Sequence, residues 1–527
     1  MSDRDDFVLS LPSWVLRRRG ARMLDPVSAP RPVKGDEVSP RTASSSAYLD
    51  GRLMVRGLPG RAAAQRREDL ESVLRRRGYA VRLRPDPVDE RLEGLLTESL
   101  GGGRSDLLDQ LDSAYQTRML VEPVGERPED PDPWVLVLVA RSAGLDGVDL
   151  EHLVIPGPGG AYWEGHGPGA YWEGHGPGAY WEGHGGDPGC LPGRAPVSVA
   201  VADPSAGRRP LRRPPVVVVP DTGIGSHPWF DGHDRVQVLH SILGVPVTEN
   251  TTPDPERHGI SEPLVGELDR LSGHGTFIAG VLRQRAPDAR IVGLPLMDAS
   301  GTAAEGDVSR TLVALLVGHV LAQEQGRTDF GEDGGVLDVL SLSLGFYHQD
   351  GEVASHPVRD LLQLFADRGV MVVAAAGNQA TSVPLYPAGW AAAPGAAEPA
   401  PGAAPPLVSV GALNPDGDSV AMFSNAGPWV TAHRPGVNVV STMPTTFDAS
   451  ARAAYRTETE TGVRATPDPD DMSGGFAVWS GTSFAAPWLA GQLAQHLCAD
   501  SDSDDDVGVK ALWARARRAL SAELGGR

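Results

Sequence analysis

Cysteine, lysine and long apolar runs are scarce in this chain of 527 residues. The two cysteines, Cys190 and Cys498, lie far apart in unlike contexts, which excludes a disulfide framework and fits a reducing compartment. No run of about 18 apolar residues occurs, so no transmembrane helix is expected. Lysine occurs only at Lys34 and Lys510, and GC-rich coding explains why arginine supplies the other basic residues.

Basic charge is also in deficit, with 47 basic against 68 acidic residues and a net charge of −21. Nucleic acids and anionic membranes select basic surfaces, so neither is expected as the main partner. The polar N-terminus is followed by a short apolar stretch and only then by Arg17, Arg18 and Arg19. This is the wrong order for a secretory signal, and the expected location is the cytoplasm.

The length and composition allow a large folded core. At about 100–200 residues per domain, the chain is long enough for two to four domains. Hydrophobic residues make up 41% of it, which is sufficient for a globular interior. The 64 glycines and 46 prolines exceed ordinary usage, so part of the chain is expected to be irregular.

The N-terminal third divides into a tail and a small domain. Residues 1–45 are polar and proline-rich, which predicts a flexible tail. Residues 46–155 mix helix and strand patterns and predict a small α/β domain. Its expected elements are strands at 52–55, 79–83 and 134–140, a helix at 62–77, and one or two helices within 92–115.

Residues 156–215 are rich in glycine and proline and contain three near-identical nine-residue units at 161–187. His166, His175 and His184 recur beside glutamates, so weak metal or aromatic-mediated binding is one interpretation. The favoured interpretation is a flexible or polyproline-like spacer, because glycine and proline at this density cannot hold a helix or a sheet ladder.

From Val216 onward, apolar strands alternate with helix-length segments, which predicts a parallel sheet with helices on both faces, a three-layer α/β/α fold. The expected strands are 216–219, 289–294, 336–344, 370–376 and 407–410, with helices at 308–325 and 357–368. An acidic segment and a C-terminal helix are expected within 499–527.

Two short motifs in this region contain candidate acid–base residues. Asp221 lies where a buried strand runs into a glycine-bearing turn, and a carboxylate there can orient and stabilise a histidine. Taken alone, it also fits a turn-capping aspartate. His274 lies between Gly273 and Gly275 and opens a small-residue helix, where a histidine can exchange protons near neutral pH, although a helix cap is an equally common role.

Two further motifs contain a candidate oxyanion donor and a candidate nucleophile. Asn378 follows a buried strand and Gly377, and its amide could donate to a developing oxyanion, or serve as a turn residue. Ser483 enters a small-residue helix, whose N–H groups and dipole favour a nucleophile there. A helix N-cap is the simpler role for an isolated serine.

Taken together, the four motifs resemble the subtilisin-like serine proteases (subtilases, peptidase family S8). The resemblance covers about residues 196–498 and follows the Asp…His…Ser order of that family. The matching segments are DTGIG at Asp221, GHGTFIAG at His274, AAAGN at Asn378 and GTSFAAP at Ser483.

The resemblance implies a role for each residue. Ser483 would be the nucleophile, His274 the general base and then acid, Asp221 its orienting partner, and Asn378 an oxyanion donor. Two short segments would bind extended substrate and line the first specificity pocket: Ser343, Leu344 and Gly345, and Ala375, Ala376 and Gly377.

The expected function is therefore a serine endopeptidase that acts on protein or peptide substrates and is gated by its N-terminal domain. The alternative is a catalytically locked protease fold that serves as a scaffold. The resemblance implies no cofactor for the chemistry. Calcium is common in the family, but no ligand set can be placed from the motifs.

The role of residues 46–155 stays open between a propeptide that inhibits the cleft and a sensor or docking domain with a regulatory partner. The long repeat linker favours docking, because it would position an inhibitor poorly. The expanded stretches at 247–271, 391–406 and 444–475 are expected to rim the cleft and narrow substrate choice.

Overall fold

The computed structural model describes residues 7–29, 43–101, 103–125, 130–156, 194–232, 234–248, 254–260, 264–394, 404–500 and 506–525. The repeat units at 161–187 and Cys190 lie outside these ranges, as do residues 395–403 of one expanded stretch.

The N-terminal domain is an antiparallel sheet with helices on both faces. Its strands are β1 (Ala21–Leu24), β2 (Ser46–Arg56), β3 (Val81–Pro85), β4 (Gln116–Pro123) and β5 (Val148–Pro156). Its helices are α1 (Ser13–Arg19), α2 (Ala62–Arg76), α3 (Pro87–Leu100), α4 (Ser105–Ala114) and α5 (Pro133–Ser142). The strand order is β5-β2-β4-β3, with β1 paired to β2, and α2 and α5 pack together over β2.

Two expectations for this domain are wrong. Residues 134–140 form helix α5 rather than a strand, because the Asp132 carboxylate caps the helix by accepting the Trp134 N–H at 2.9 Å and Pro133 occupies the first turn. A continuous apolar run does not by itself distinguish a buried helix from a buried strand. The flexible tail expected at residues 1–45 contains α1 and β1. Both elements pack on the rest of the protein, since Val15 and Leu24 are fully buried and β1 pairs with β2.

The second domain contains the remaining elements. Its longer strands are β7 (Val216–Asp221), β8 (Val236–Val238), β11 (Arg290–Pro295), β15 (Val339–Leu342), β17 (Met371–Ala375), β18 (Val408–Leu413), β19 (Ala432–Pro435), β20 (Val439–Thr442), β21 (Arg456–Thr459), β22 (Gly462–Ala465) and β23 (Phe476–Trp479). Its two-residue strands are β6 (Ala195–Pro196), β9 (Ser241–Ile242), β10 (Val245–Pro246), β12 (Ala303–Ala304), β13 (Phe330–Gly331), β14 (Gly334–Gly335) and β16 (Leu344–Gly345). Its helices are α6 (His274–Arg285), α7 (Glu305–Glu324), α8 (Pro357–Asp367), α9 (Thr482–Asp500) and α10 (Val509–Leu524).

A seven-stranded parallel sheet with the order β19-β18-β17-β15-β7-β11-β8 forms the centre of this domain. Successive residues of each strand face opposite sides. Val217 and Val219 of β7 therefore join the core beneath α6 and α9, whereas Val216 and Val218 join the core beneath α7 and α8. The expected three-layer α/β/α architecture is confirmed.

Helix α10 belongs to this domain rather than to a separate appendix. It packs along α9, and Leu520 is fully buried in the same core as Leu493 and Leu497. At its end, the Glu523 carboxylate pairs with Arg434 at 2.8 Å.

Helix α7 lies between the two domains. One side packs on the parallel sheet, and its outer side meets β4 and β5 of the N-terminal domain. The helix expected at residues 308–325 is therefore buried on both sides, and the charged residues Glu305, Asp307 and Arg310 of α7 are buried with it.

A buried ionic network joins the domains across α7. The Arg118 guanidinium contacts Glu151 Oε1 at 2.5 and 2.7 Å and Asp307 Oδ1 at 2.9 Å, and Arg310 contacts Asp89 at 3.2 Å as well as Asp307. Removing one member of such a network leaves an uncompensated buried charge, which typically costs about 3–5 kcal/mol. The network therefore ties the N-terminal domain to the parallel-sheet domain.

Candidate active site

Asp221 and His274 meet at the carboxyl edge of the parallel sheet. Asp221 ends β7, and His274 begins α6. The Asp221 Oδ1 atom lies 2.8 Å from His274 Nδ1 and accepts the Thr222 N–H at 2.8 Å. Both side chains are buried, so little water competes with this pair.

Glycine permits the close approach that this pair requires. A Cβ on Gly275 would lie 2.0 Å from the carbonyl oxygen of Gly223, so a side chain there would push α6 away from the turn after β7. The His274 ring is then enclosed by Trp479, edge-on at a centroid distance of 5.6 Å, and by Phe484 at 5.4 Å.

Ser483 and Asn378 lie beside each other at the start of α9. Ser483 is the second residue of the helix, and it directly precedes Phe484, which contacts the His274 ring. The Asn378 Oδ1 atom accepts the Thr482 N–H at 2.8 Å, and the Gly377 N–H donates to Thr482 Oγ1 at 3.1 Å. Because the Asn378 side-chain oxygen accepts this hydrogen bond, the Asn378 NH₂ group is on the other side of the carboxamide and can act as a donor.

The two expected substrate-binding segments flank this point. Ser343 donates its hydroxyl to the Ser483 carbonyl at 2.9 Å, which fixes the start of β16 against α9. On the other side, the Ala376 carbonyl accepts the Asn425 side-chain amide at 3.0 Å, directly after Ala375 ends β17.

Residues 153–156 already lie between two short strands of this cleft. Gly345 pairs with Ile155 and Leu344 with Pro156, both antiparallel. On the opposite side, residues 303 and 304 pair with residues 154 and 153. The end of β5 is therefore the middle strand of a three-stranded arrangement at the expected substrate edge.

Two imidazole-containing groups at the domain interface are close enough to share an ion: Asp149, His348 and His356, and His152, Glu305 and His356. Hydrogen bonding disfavours a metal ion at either group, because a ring nitrogen that carries a proton cannot also bind a metal. His152 faces acceptors on both sides, Glu305 Oε2 and Gln349 Oε1, each at 2.6 Å, and so carries both ring protons. The Nδ1 atoms of His348 and His356 accept backbone N–H groups, which leaves their Nε2 protons facing Asp149 and Glu305.

A third group, Asp448, Asp468 and Asp470, supplies only oxygen ligands, the type that calcium prefers. The Asp470 Oδ1 atom is buried without a hydrogen-bond partner, and burial raises the pKa of this carboxyl. These residues fit part of a calcium ligand set, and calcium binding stays a prediction.

The motifs predicted no role for the residues that brace the site, although Thr482 lies within the GTSFAAP segment itself. Thr482 and Asn425 hold the strand ends, as described above. Glu256, from the expanded stretch 247–271, lies buried beside the turn after β7 and accepts the Thr276 hydroxyl at 2.5 Å. Only its position before the His274 motif could have drawn attention to it.

The sequence model of the subtilase family matches residues 213–520, more than half of the chain. This chain belongs to the subtilase family. The matched range includes residues 509–520 of α10, in keeping with the packing of that helix. The family membership follows from this match, and the resemblance predicted from the four motifs is confirmed.

Three curated proteins illustrate what this chain is similar to, and two of them are named serine proteases. The chain is 25% identical over 279 residues to the thermophilic serine proteinase of Bacillus sp. (strain AK1), covering 53% of this chain and 51% of that protein. Identity to Serine protease AprX of Bacillus subtilis (strain 168) is 26% over 306 residues, covering 55% and 58%. Thermitase of Thermoactinomyces vulgaris is 25% identical over 313 residues, covering 57% and 85%.

The chain thus spans little more than half the length of the first two of these relatives. Among solved structures, a cold-adapted subtilisin-like serine proteinase matches with 22% identity and a TM-score of 0.34, covering 55% of this chain and 78% of that chain.

Among the helices in the described ranges, none has both the length and the apolar character that crossing a bilayer requires. The cytoplasmic location stays a prediction.

Proposed function

We propose that this subtilase is a serine endopeptidase with Ser483 as the nucleophile. The observation that carries the proposal is the buried Asp221–His274 pair, which lies beside the N-terminus of the helix that contains Ser483. An acyl-transfer enzyme needs a nucleophile, a base and an oriented partner for that base, and these residues supply all three.

The chemistry follows from the side chains in place. The Ser483 hydroxyl oxygen attacks the carbonyl carbon of the scissile peptide bond, and its proton passes to His274. Asp221 stabilises the resulting imidazolium. The negative charge on the carbonyl oxygen is met by the Asn378 NH₂ group and the Ser483 N–H.

Collapse of this tetrahedral intermediate breaks the C–N bond, and His274 returns the proton to the leaving amine. Water then attacks the acyl-enzyme by the same route in reverse, restoring the Ser483 hydroxyl and releasing the carboxylic acid product. No cofactor enters these steps.

We further propose that the N-terminal domain holds the enzyme latent. The end of β5 occupies the edge where Leu344 and Gly345 would pair with an extended substrate, as in β-strand addition. The ionic network around Arg118 and Asp307 supports a docked arrangement, since the Arg118 guanidinium of the N-terminal domain contacts Asp307 of α7 at 2.9 Å. Both observations favour an inhibitory role over remote docking.

Labelling by a fluorophosphonate probe tests the activity. After the chain has been cut within residues 157–193 to release the proposed block, we expect covalent labelling of the wild type, none of Ser483→Ala, and normal labelling of Ser473→Ala, which alters an exposed serine. A folded wild type that never labels, even after the chain has been cut within residues 157–193, would support the scaffold alternative.

Intact mass tests the latency. A cut within 156–215 that requires Ser483 would support a self-removed inhibitory domain. A chain that stays uncut and fully active would contradict it.

A further inference from the structure

Glu256 lies in the expanded stretch between Asp221 and His274, and its side chain is buried, with 2% of its surface exposed. Its backbone N–H donates to the Asp254 carboxylate at 2.8 Å, forming a turn that directs the Glu256 side chain inward. The mechanism proposed above does not use this buried carboxyl group.

Two threonine hydroxyls donate to the Glu256 carboxylate. Thr276 donates to Oε2 at 2.5 Å, and Thr222 donates to Oε1. The same hydroxyls accept backbone N–H groups, Thr222 from Gly275 at 2.8 Å and Thr276 from Gly225 at 2.7 Å. The carboxylate thus ties the turn after β7 to the N-terminus of α6, the two elements that position Asp221 and His274.

Glycines in the turn admit Glu256 to this position. Gly223 has a φ of +113°, and a Cβ there would lie 3.3 Å from Glu256 Cγ. A Cβ on Gly225 would lie 2.5 Å from the Glu256 carbonyl oxygen. The glycines of the Asp221 motif therefore serve the approach of Glu256 as well as the turn.

The Thr222 hydroxyl has two competing acceptors. It contacts Glu256 and also lies 3.2 Å from Asp221 Oδ1, the oxygen that contacts His274. A hydroxyl has one proton to donate. When Glu256 is ionised, that proton is directed to Glu256; when Glu256 is protonated, Glu256 can donate to Thr222, and Thr222 is then free to donate to Asp221.

The charges around Glu256 allow this carboxyl group to be either ionised or protonated. Burial raises its pKa to about 8, the two threonine hydroxyls oppose this shift, and the carboxylates of Asp221 and Asp254 add to it. The Arg194 guanidinium interacts electrostatically with Glu256, and burial lowers the pKa of Arg194 to about 10. His274 faces Glu256 only across Asp221 and Thr222.

We propose that Glu256 is a positioning residue whose protonation state, relayed by Thr222, sets how strongly Asp221 holds His274. This inference rests on the proposed peptidase activity. As Glu256 ionises, Asp221 loses the Thr222 hydrogen bond, and its charge is left to stabilise the His274 imidazolium.

The test is the pH profile of kcat and KM for a chromogenic peptide, using enzyme prepared from the full chain. We expect the wild-type kcat to rise by about threefold to tenfold as Glu256 ionises, because one pKa unit of interaction corresponds to a factor of ten. Glu256→Gln imitates the protonated acid, donating to Thr222 and accepting from Thr276. It should fold, keep KM and lack the rise.

Two further variants separate positioning from a structural role. Thr222→Val breaks the relay with Glu256 in place and should also remove the rise, and combining it with Glu256→Gln should add nothing further. Glu267→Gln makes the same substitution at an exposed glutamate of the same expanded stretch and should keep the wild-type profile.

The outcomes distinguish this inference from the activity on which it rests. A wild type that hydrolyses the peptide with the same pH profile as folded Glu256→Gln overturns the role of Glu256 alone. A rise that survives in Thr222→Val also overturns it. A wild type without Ser483-dependent hydrolysis overturns the proposed activity and this inference together.

Discussion

Asn378 is held by its carboxamide oxygen, which accepts the Thr482 N–H at 2.8 Å and so directs the NH₂ group to the other side. Asn378→Leu keeps the size of the side chain and removes that donor. We expect kcat to fall by about 10²–10³-fold with KM nearly unchanged, the magnitude found when the corresponding donor of subtilisin is removed. Peptide hydrolysis under steady-state conditions measures both constants.

Thr381→Val is a suitable comparison for this prediction, because Thr381 lies on the same loop and is nearly buried. Its kcat should stay close to that of the wild type. A rise in KM that matches the fall in kcat/KM of Asn378→Leu would show that Asn378 binds substrate and transition state equally.

At the scale of single residues, the motifs predicted the candidate site and missed its support. His274 and Asn378 adjoin glycines, and Asp221 lies two residues before Gly223, because the backbone at these points must approach other segments closely. This requirement leaves a recognisable sequence pattern. Glu256 has no such pattern, since it reaches Thr222 and Thr276 from a stretch whose path depends on tertiary packing. The positions of Asp221, His274 and Asn378 agree with the motifs, and the catalytic roles of these three residues stay proposals.

Among the elements, α10 shows what a local pattern leaves undetermined. The sequence predicted a C-terminal helix within residues 499–527, whereas the burial of this helix against α9 depends on a partner helix. Leu520→Ala should lower the free energy of unfolding by about 2–5 kcal/mol, the usual cost of truncating a fully buried leucine. Chemical denaturation measures this change, and Lys510→Ala on the exposed face should leave it nearly unaltered.

The end of strand β5 allows a direct test of latency. Residues 153–156 extend beyond the pairing of β5 with β2, which ends at His152, so a change there leaves the fold of the N-terminal domain intact. Ile155→Asp places an unpaired charge in a buried position, which is costly. We expect the intact chain to hydrolyse peptide at least about tenfold faster, since each 1.4 kcal/mol of lost docking energy is a factor of ten.

The control for Ile155→Asp is Val124→Asp, which introduces the same charge at an exposed position of the same domain. Its initial rate should equal that of the wild type, with intact mass checked at the start of the assay. Equal rates for all three proteins would show that the end of β5 does not limit access to the cleft.

Across the whole molecule, docking depends on charges that meet at the interface. Burial opposes a charge on His152, but Glu305 outweighs it and raises the pKa of this imidazole. The pKa of Asp149 is lowered, because the neighbouring His348 and His152 outweigh the effect of burial. The docked state therefore favours a charged His152 and an ionised Asp149.

The directions of these two pKa shifts determine how docking of the N-terminal domain depends on pH. The contribution of His152 is fully present below the pKa of the free imidazole and is lost as the pH rises through the raised value. The contribution of Asp149 is present above the pKa of the free carboxyl and is lost as the pH falls through the lowered value. Docking should therefore weaken in alkaline solution and again in strong acid.

Hydrogen exchange of β5 in the uncleavable Ser483→Ala chain measures this dependence without any contribution from catalysis. Protection should decrease as the pH rises, after correction for the intrinsic exchange rate. His152→Gln should remove the alkaline loss. If both proteins lose protection in parallel, the interface imidazole does not control docking.

At this scale the sequence could predict the layers but not their arrangement. The alternation of strand and helix patterns from Val216 predicted the parallel sheet. The burial of α7 on both sides could not be read from its own residues, because it depends on a second sheet more than a hundred residues earlier in the chain. For the same reason, the sequence left open whether the N-terminal domain inhibits the cleft or docks elsewhere, and the long linker favoured docking.

Strand β5 is hydrogen-bonded to β2 over residues 148–152 and to the cleft over residues 153–156. The element proposed to block the cleft is thus also a structural strand of the N-terminal domain. Any event that unfolds the N-terminal domain, whether heat, denaturant or a cut in one of its loops, withdraws the block at the same moment. Under the proposed latency, the conditions that activate the enzyme are those at which the N-terminal domain melts, so that activity would report the unfolding of this domain.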